Sequence, residues 1–338
     1  MTGMPLELHH ILDARHRIRG VADNTPLIPS PFMSTVADHD FLMKMETMQP
    51  VGAFKLRGAM SAVMALPEGV QGVTCCSTGN HGRGVSFAAN RRGMKAVICM
   101  SELVPQAKVD GIKALGADVR IIGTTQDEAM QESKRLCADE GLVEISPFDD
   151  LHVISGQGTI GVEMLEARPD LDMLLVPLSG GGLAAGIATA AKAIKPSIKV
   201  IGITMDRGAA MHASIRAGEP VEVPEFASLA DSLGGGIGLQ NQLSYPICRD
   251  LLDDTILVTE SEILHAMQVM FYEDRIVAEG ASVVGQAAML AGKLPKPDGP
   301  VGTVVTGRNL DMQTFAKLMT GQDVMIGDLE VKGKTYGA

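Results

Sequence analysis

A strand-like run that empties into three consecutive glycines, and then into a helix of small residues, constrains this chain more than any other feature. The segment reads Leu175-Val176-Pro177-Leu178-Ser179-Gly180-Gly181-Gly182-Leu183-Ala184-Ala185-Gly186. Three glycines are more than a strand-to-helix turn needs. They clear side chains from the place where backbone N–H groups open at a helix N-terminus, and with the helix dipole that arrangement suits a phosphate. The surroundings agree with a parallel sheet. Residues 96–100, 118–122, 173–178, 199–205 and 301–305 read as strands, and 109–115, 126–140 and 183–194 as helices. Gly116 and Gly141 stand where helices stop. Apolar strands alternating with helices imply an α/β fold whose sheet is covered on both faces.

Which phosphate the loop holds is open at this point. Gly180-x-Gly182-x-x-Ala185 satisfies a loose dinucleotide fingerprint, and Asp206 ends the next strand where a ribose-binding acid would sit. A nicotinamide-dependent oxidoreductase is therefore one candidate. Bulk numbers exclude other classes. A net charge of −11 with 3% aromatics offers neither the basic surface nor the stacking platform of a nucleic-acid binder. No apolar run reaches the roughly 18 residues of a membrane span. Residues 1–19 mix Glu7 and Asp13 with basic residues and do not read as a secretory signal. The five cysteines form no C-x-x-C pair, and their odd number argues for a reducing, cytoplasmic setting. A length of 338 residues suggests two domains.

Two further glycine clusters and one lysine carry chemistry. Cys75-Cys76-Ser77-Thr78-Gly79-Asn80-His81-Gly82-Arg83-Gly84 follows an apolar segment and precedes a helix expected over 85–90. Such a loop can offer N–H groups and hydroxyls to a carboxylate, or can simply cap a helix. Gly234-Gly235-Gly236-Ile237-Gly238 can wall a ligand or connect elements. Lys55 opens a helix running to Leu66 and lies between apolar residues in Phe54-Lys55-Leu56-Arg57-Gly58-Ala59. In an apolar pocket a lysine has a lowered pKa and can form a Schiff base; on a surface it merely snorkels.

Taken together, these motifs resemble the tryptophan-synthase-like (fold type II) enzymes that use pyridoxal phosphate, and within them the serine/threonine dehydratases and serine racemase. Phe54 to Ala59 looks like the family's Schiff-base lysine motif. Ser77-Thr78-Gly79-Asn80-His81 looks like its substrate-carboxylate loop, whose Asn also bonds the cofactor's phenolic oxygen. Ser179-Gly180-Gly181-Gly182-Leu183 looks like its phosphate loop. Thr306-Gly307-Arg308-Asn309 looks like the motif whose hydroxyl meets the pyridine nitrogen. Gly156-Gln157-Gly158-Thr159, Leu229-Ala230-Asp231 and Glu279 match further family positions around the site. A narrower resemblance, to the hydroxyectoine utilisation dehydratases, lies in 77–83, 206–211, 229–238 and 307–312.

The resemblance implies two domains, each an open twisted, mostly parallel sheet flanked by helices, with residues 67–149 inserted between 1–66 and 150–338. It implies pyridoxal 5'-phosphate as cofactor, a small amino-acid substrate, a homodimer and no metal, since Thr204 and Ala210 stand where metal-binding relatives place acids. It also implies the reaction. Lys55 carries the cofactor and removes the Cα proton, the 77–81 loop holds the carboxylate, the β-hydroxyl leaves, and a keto acid and ammonia result. A neutral Thr306 hydroxyl at the pyridine nitrogen weakens the ring as an electron sink, favouring elimination over transamination. Racemase, serine or 3-hydroxyaspartate ammonia-lyase and non-catalytic amino-acid-binder readings remain as alternatives. Thr78, a hydroxyl where racemases have Ser and dehydratases Ala, is a candidate acid/base. Arg308 replaces a family Gly, and either reads a second acidic group on the substrate or points to solvent. Few residues follow Asp311, so no isoleucine-sensing regulatory domain is expected.

Overall fold

The computed structural model describes residues 6–77, 79–104 and 106–337. Two sheets organise it. The larger has six strands in the order β1 (Leu27–Pro29), β2 (Phe41–Met45), β10 (Val301–Val305), β7 (Met173–Pro177), β8 (Lys199–Met205) and β9 (Asp254–Val258). All its pairings are parallel except β1 with β2. The smaller, wholly parallel, runs β5 (Asp118–Ile121), β4 (Lys95–Met100), β3 (Gly72–Cys75), β6 (Val143–Glu144). A two-stranded hairpin, β11 (Val324–Ile326) and β12 (Leu329–Val331), lies near the C-terminus. Strands and helices thus form the α/β architecture expected.

Strand periodicity explains why the large sheet is hidden on both faces. Phe41, Met43 and Met45 of β2 join Met173, Leu175, Ile201 and Ile203 in one apolar cluster. Leu42, Leu174, Val176, Val200 and Val304 join a second, with the helices Leu151–Ala167 and Gly182–Ile194. Alternate residues point to opposite faces, so a continuous apolar run fills two cores at once. The helix Lys55–Ala65 packs elsewhere: Leu56, Ala59, Met60 and Val63 share a cluster with Val73 and Ile98 of the small sheet.

Two differences from the sequence expectation bear on the site. The helix expected over 85–90 spans Asn80–Arg92, so Asn80 and His81 sit in its first turn rather than in a loop. Gly82 and Gly84 suggested a loop, yet they serve close approach inside the helix: a Cβ at Gly82 would overlap Ser77 O, and one at Gly84 would stand 3.1 Å from Lys55 O. The long helix Leu151–Ala167, capped by the Asp150 carboxylate on Val153 N at 2.8 Å, drew no signal of its own because it is buried almost all round, polar residues included, and shows no apolar stripe. Among the described residues, no helix is long and apolar enough to cross a membrane.

Candidate active site

Lys55 begins its helix where the segment leaving β10 of the large sheet meets it. Phe54 N donates to Thr306 O at 2.9 Å, and Ala53 bridges Gly307. The C-terminal end of β10 therefore fixes the start of the lysine's helix. Behind Lys55, Arg57 is buried and spends its whole guanidinium: Nε and Nη2 on Glu46, each at 2.8 Å; Nη1 and Nη2 on Glu163, at 2.6 and 2.8 Å; Nη1 on Thr159 Oγ1 and Nη2 on Asp23 O, each at 3.0 Å. Lys44, also buried, adds 2.5 Å contacts to Glu163 and Thr25 O. Two cations and two anions balance, as buried charge requires. Burial pushes Glu46 up, but the Arg57 guanidinium outweighs it and holds the carboxyl below its usual range.

The Lys55 ammonium group has no acid beside it among the described residues. Its Nζ donates to Pro147 O at 2.7 Å and lies 5.4 Å from the centre of the Phe54 ring. Burial pushes its pKa down to about 8. The next residue, Phe148, packs under the glycine loop: a Cβ at Gly182 would come within 2.9 Å of Phe148 Cα, and one at Gly180 would overlap the ring. Gly181 holds φ +89°, a left-handed conformation open to glycine. The loop is pinned from outside by Ser244 Oγ on Gly180 O at 2.7 Å, and Asp149 caps that serine's helix at Leu243 N and Ser244 N. Inward, the N–H groups of Gly180, Gly181, Gly182 and Leu183 donate to nothing among the described residues. Four bare donors at the N-terminus of a thirteen-residue helix fit a phosphate. Ser179, half-buried, precedes them.

A second cluster crosses between the two sheets. Asn80 Nδ2 donates to both Glu279 oxygens, at 3.1 and 3.0 Å, and Asn309 Nδ2 donates to Asn80 Oδ1 at 2.7 Å. Glu279 is buried, which pushes its carboxyl up although the Asn80 amide and Asn309 N–H pull the other way. Glu279 N donates to Gly307 O, and a side chain on Gly307 would press on the Glu279 carboxylate. The buried Thr306 hydroxyl pairs with Ser282 Oγ at 3.0 Å, and Ser282 is locked by Gly307 N and O, each at 2.9 Å. Either hydroxyl of the Thr306–Ser282 pair can be the donor, and neither carries a charge.

His81 is 4% exposed, with Nε2 at 2.7 Å from Ile145 O. Burial, aided by the Lys55 charge, pushes its pKa to about 3, so the ring is neutral and Nε2 carries the proton. Its Nδ1 lone pair has no partner among the described residues. Ser77 is half-buried and Gly79 exposed, flanking the start of the same helix; Thr78 lies outside the described residues. Arg308 is exposed, its backbone N bonded to Gly52 O at 3.0 Å. Among the described residues, no group of three or more His, Cys, Asp or Glu is arranged to hold a metal. Pro147, Phe148, Ser282 and Asn309 escape sequence reasoning as site residues. A lone carbonyl or ring has no pattern, and only Asn309 sits inside a motif already singled out.

The family model described as "Pyridoxal-phosphate dependent enzyme" matches residues 18–307. A protein of Sinorhizobium fredii described as "Putative threonine dehydratase" is 50% identical over 94% of this chain and 96% of its own length. The catabolic L-threonine dehydratase of Escherichia coli is 34% identical over 93% and 96%. The solved structure of maize serine racemase superposes with a TM-score of 0.88 at 32% identity, covering 93% of this chain and 97% of its own. Of the two phosphate ligands that the glycine loop left open, this match selects pyridoxal phosphate over a dinucleotide.

Proposed function

The chain belongs to the pyridoxal-phosphate-dependent enzyme family, and on that premise we propose that it converts a β-hydroxy amino acid of the threonine/serine type into a 2-keto acid and ammonia. The observation that carries this reading is Lys55: a lysine amine with a pKa of about 8 and no acid beside it among the described residues, bonded to Pro147 O next to the Phe148 that packs on the glycine loop.

The residues present fit the cofactor. Gly180 to Leu183 would hold its phosphate, Asn80 its phenolic oxygen, Thr306 its ring nitrogen and Lys55 its aldehyde carbon, with Glu279 at the ring. Bound, the cofactor supplies the electron sink that lets a Cα–H bond break. Lys55, neutral near its pKa, takes that proton; an amine poised near the working pH is a better base than an ordinary lysine. The hydroxyls of Ser77 and Thr78 and the backbone N–H groups of Gly79, Asn80 and His81 hold the substrate carboxylate and so orient the Cα–H bond. Thr306 would offer the ring nitrogen a neutral hydroxyl and no charge. The hydroxide equivalent leaves the β-carbon as water, and water returns when the enamine hydrolyses, so the net products are keto acid and ammonia.

Finer readings belong to the same proposal. The four segments noted above support a substrate from hydroxyectoine breakdown, and Arg308 at the rim would favour a substrate with a second acidic group. We propose residues 67–149 as an inserted domain within 1–66 and 150–338, and a cytoplasmic homodimer. A keto-acid release screen over L-threonine, L-serine, 3-hydroxyaspartate and hydroxyectoine-derived amino acids tests the reaction. The proposal expects turnover of at least one, a visible cofactor band trapped on Lys55 by borohydride, and loss of both in Lys55→Ala. No turnover of any of them with the band present would overturn it. Arg308→Gly should lower kcat/KM on the acidic substrate more than on L-threonine.

A further inference from the structure

Asn309 takes no part in holding cofactor or substrate, yet its amide, together with the Glu279 carboxylate, decides which way Asn80 faces. Val51 O is a carbonyl that can only accept. Asn309 Nδ2 lies 2.9 Å from it, so the end of the Asn309 amide facing Val51 is the NH2 end. The other proton of that NH2 goes to Asn80 Oδ1 at 2.7 Å. The carbonyl end of Asn80 is thereby taken, and its NH2 end is turned to Glu279. Flipping Asn80 would set two NH2 groups against each other and an amide oxygen against a carboxylate. Flipping Asn309 would set its oxygen against Val51 O. Each reversal loses hydrogen bonds and gains a repulsion. Asn309 is itself anchored: its backbone N donates to Glu279 Oε1 at 2.7 Å. Its Oδ1 occupies space that a Cβ on residue 52 would enter at 2.9 Å, and that residue is a glycine at φ +75°.

We propose that Asn309 is a positioning residue that fixes the Asn80 amide as a donor, never an acceptor, at the cofactor site. The proposal rests on the reading of Asn80 as a contact to the cofactor's phenolic oxygen. That oxygen, when ionised, needs a donor, and a freely flipping amide would present one only part of the time. The signal lay in the Thr306 to Asn309 motif, but only the fold brings residue 309 to residues 51 and 80.

A double-mutant cycle tests it. Cofactor-free protein is titrated with pyridoxal phosphate for wild type, Asn309→Ala, Asn80→Ala and the double variant, reading the dissociation constant and the absorption maximum of the bound fraction. Asn309→Ala should weaken binding roughly tenfold, the size of one lost charge-assisted hydrogen bond. It should also move the band toward that of Asn80→Ala, and it should cost nothing further in the Asn80→Ala background. Asn309→Asp should be worse than Asn309→Ala, because a carboxylate would face Val51 O and Asn80 Oδ1. Equal losses in both backgrounds, or a wild-type band in Asn309→Ala, would overturn the inference and leave Asn80 as a contact. Wild-type binding and band in Asn80→Ala would remove the underlying reading and the inference with it. The band is read on bound protein, so it reports even for a variant of lowered stability.

Discussion

At the scale of single residues, the site depends on two cations placed on one helix and treated oppositely. Lys55 keeps a carbonyl and an aromatic ring for company, and burial lowers its pKa to about 8. Only the neutral amine attacks an aldehyde. The rate at which cofactor-free protein captures pyridoxal phosphate should therefore rise with pH through about 8 and level off above it. Stopped-flow absorbance from pH 6 to 10 checks this, and a midpoint near the ordinary lysine value would contradict it. Arg57, two residues on, is saturated by Glu46 and Glu163. Arg57→Met would strand the buried Glu46 carboxylate and leave Glu163 to Lys44 alone, and about 3–5 kcal/mol of stability should go with it, read by urea unfolding. Lys44→Met leaves Arg57 facing both acids and should cost less. The lysine was legible in the sequence because its neighbours form a compact motif. The arginine's role was not, because its partners lie 11 and 106 residues away in the chain.

At the scale of elements, glycine carries two meanings that sequence alone does not separate. In the run at 180–182 it bares backbone for an anion. In the helices it lets backbones touch. Gly158 and Gly186 face each other where Leu151–Ala167 crosses Gly182–Ile194, and a Cβ on Gly158 would stand 2.8 Å from Gly186 O. On propensity alone, Gly186→Ala should stabilise its helix by up to about 1 kcal/mol. Its Cβ would, however, lie 2.6 Å from Gly158 N and overlap Ile154 O, which are backbone atoms that cannot swing aside. Overpacking of about 1–3 kcal/mol or more outweighs the propensity gain. Gly186→Ala should thus lower the melting temperature, and an unchanged or higher value would mean that the two helices slide apart without cost. The same ambiguity hid the first turn of Asn80–Arg92. Its glycines spelled a loop, while the close approach of Ser77 and Lys55 that demands them exists only once the fold is made.

At the scale of the whole molecule, the order of motifs along the chain foretold an α/β fold, and the alternation of strands foretold buried sheets. What it could not foretell is how unequally the two sheets are held. β7 and β10 are buried along their whole length, whereas β5 is mostly exposed and β6 contributes two residues. Across the site, the small sheet's side reaches the large one through Asn80 on Glu279 and Asn309, at the first turn of one helix. A cofactor held at once by Lys55, Asn80 and the Gly180 to Leu183 loop would add contacts to both sides of that junction. Ligand binding stabilises what it bridges, by about 2.7 kcal/mol at a hundredfold excess over its dissociation constant. Openings that separate the bridged parts should be suppressed first. Hydrogen exchange should therefore slow on cofactor loading mainly in Asn80–Arg92 and in β3 to β6, while β7, β8 and β10 exchange at nearly the same slow rate with or without it. Equal slowing in all the strands would mean that the molecule opens as one unit, and that the small sheet is held by its packing on Lys55–Ala65 rather than by the site.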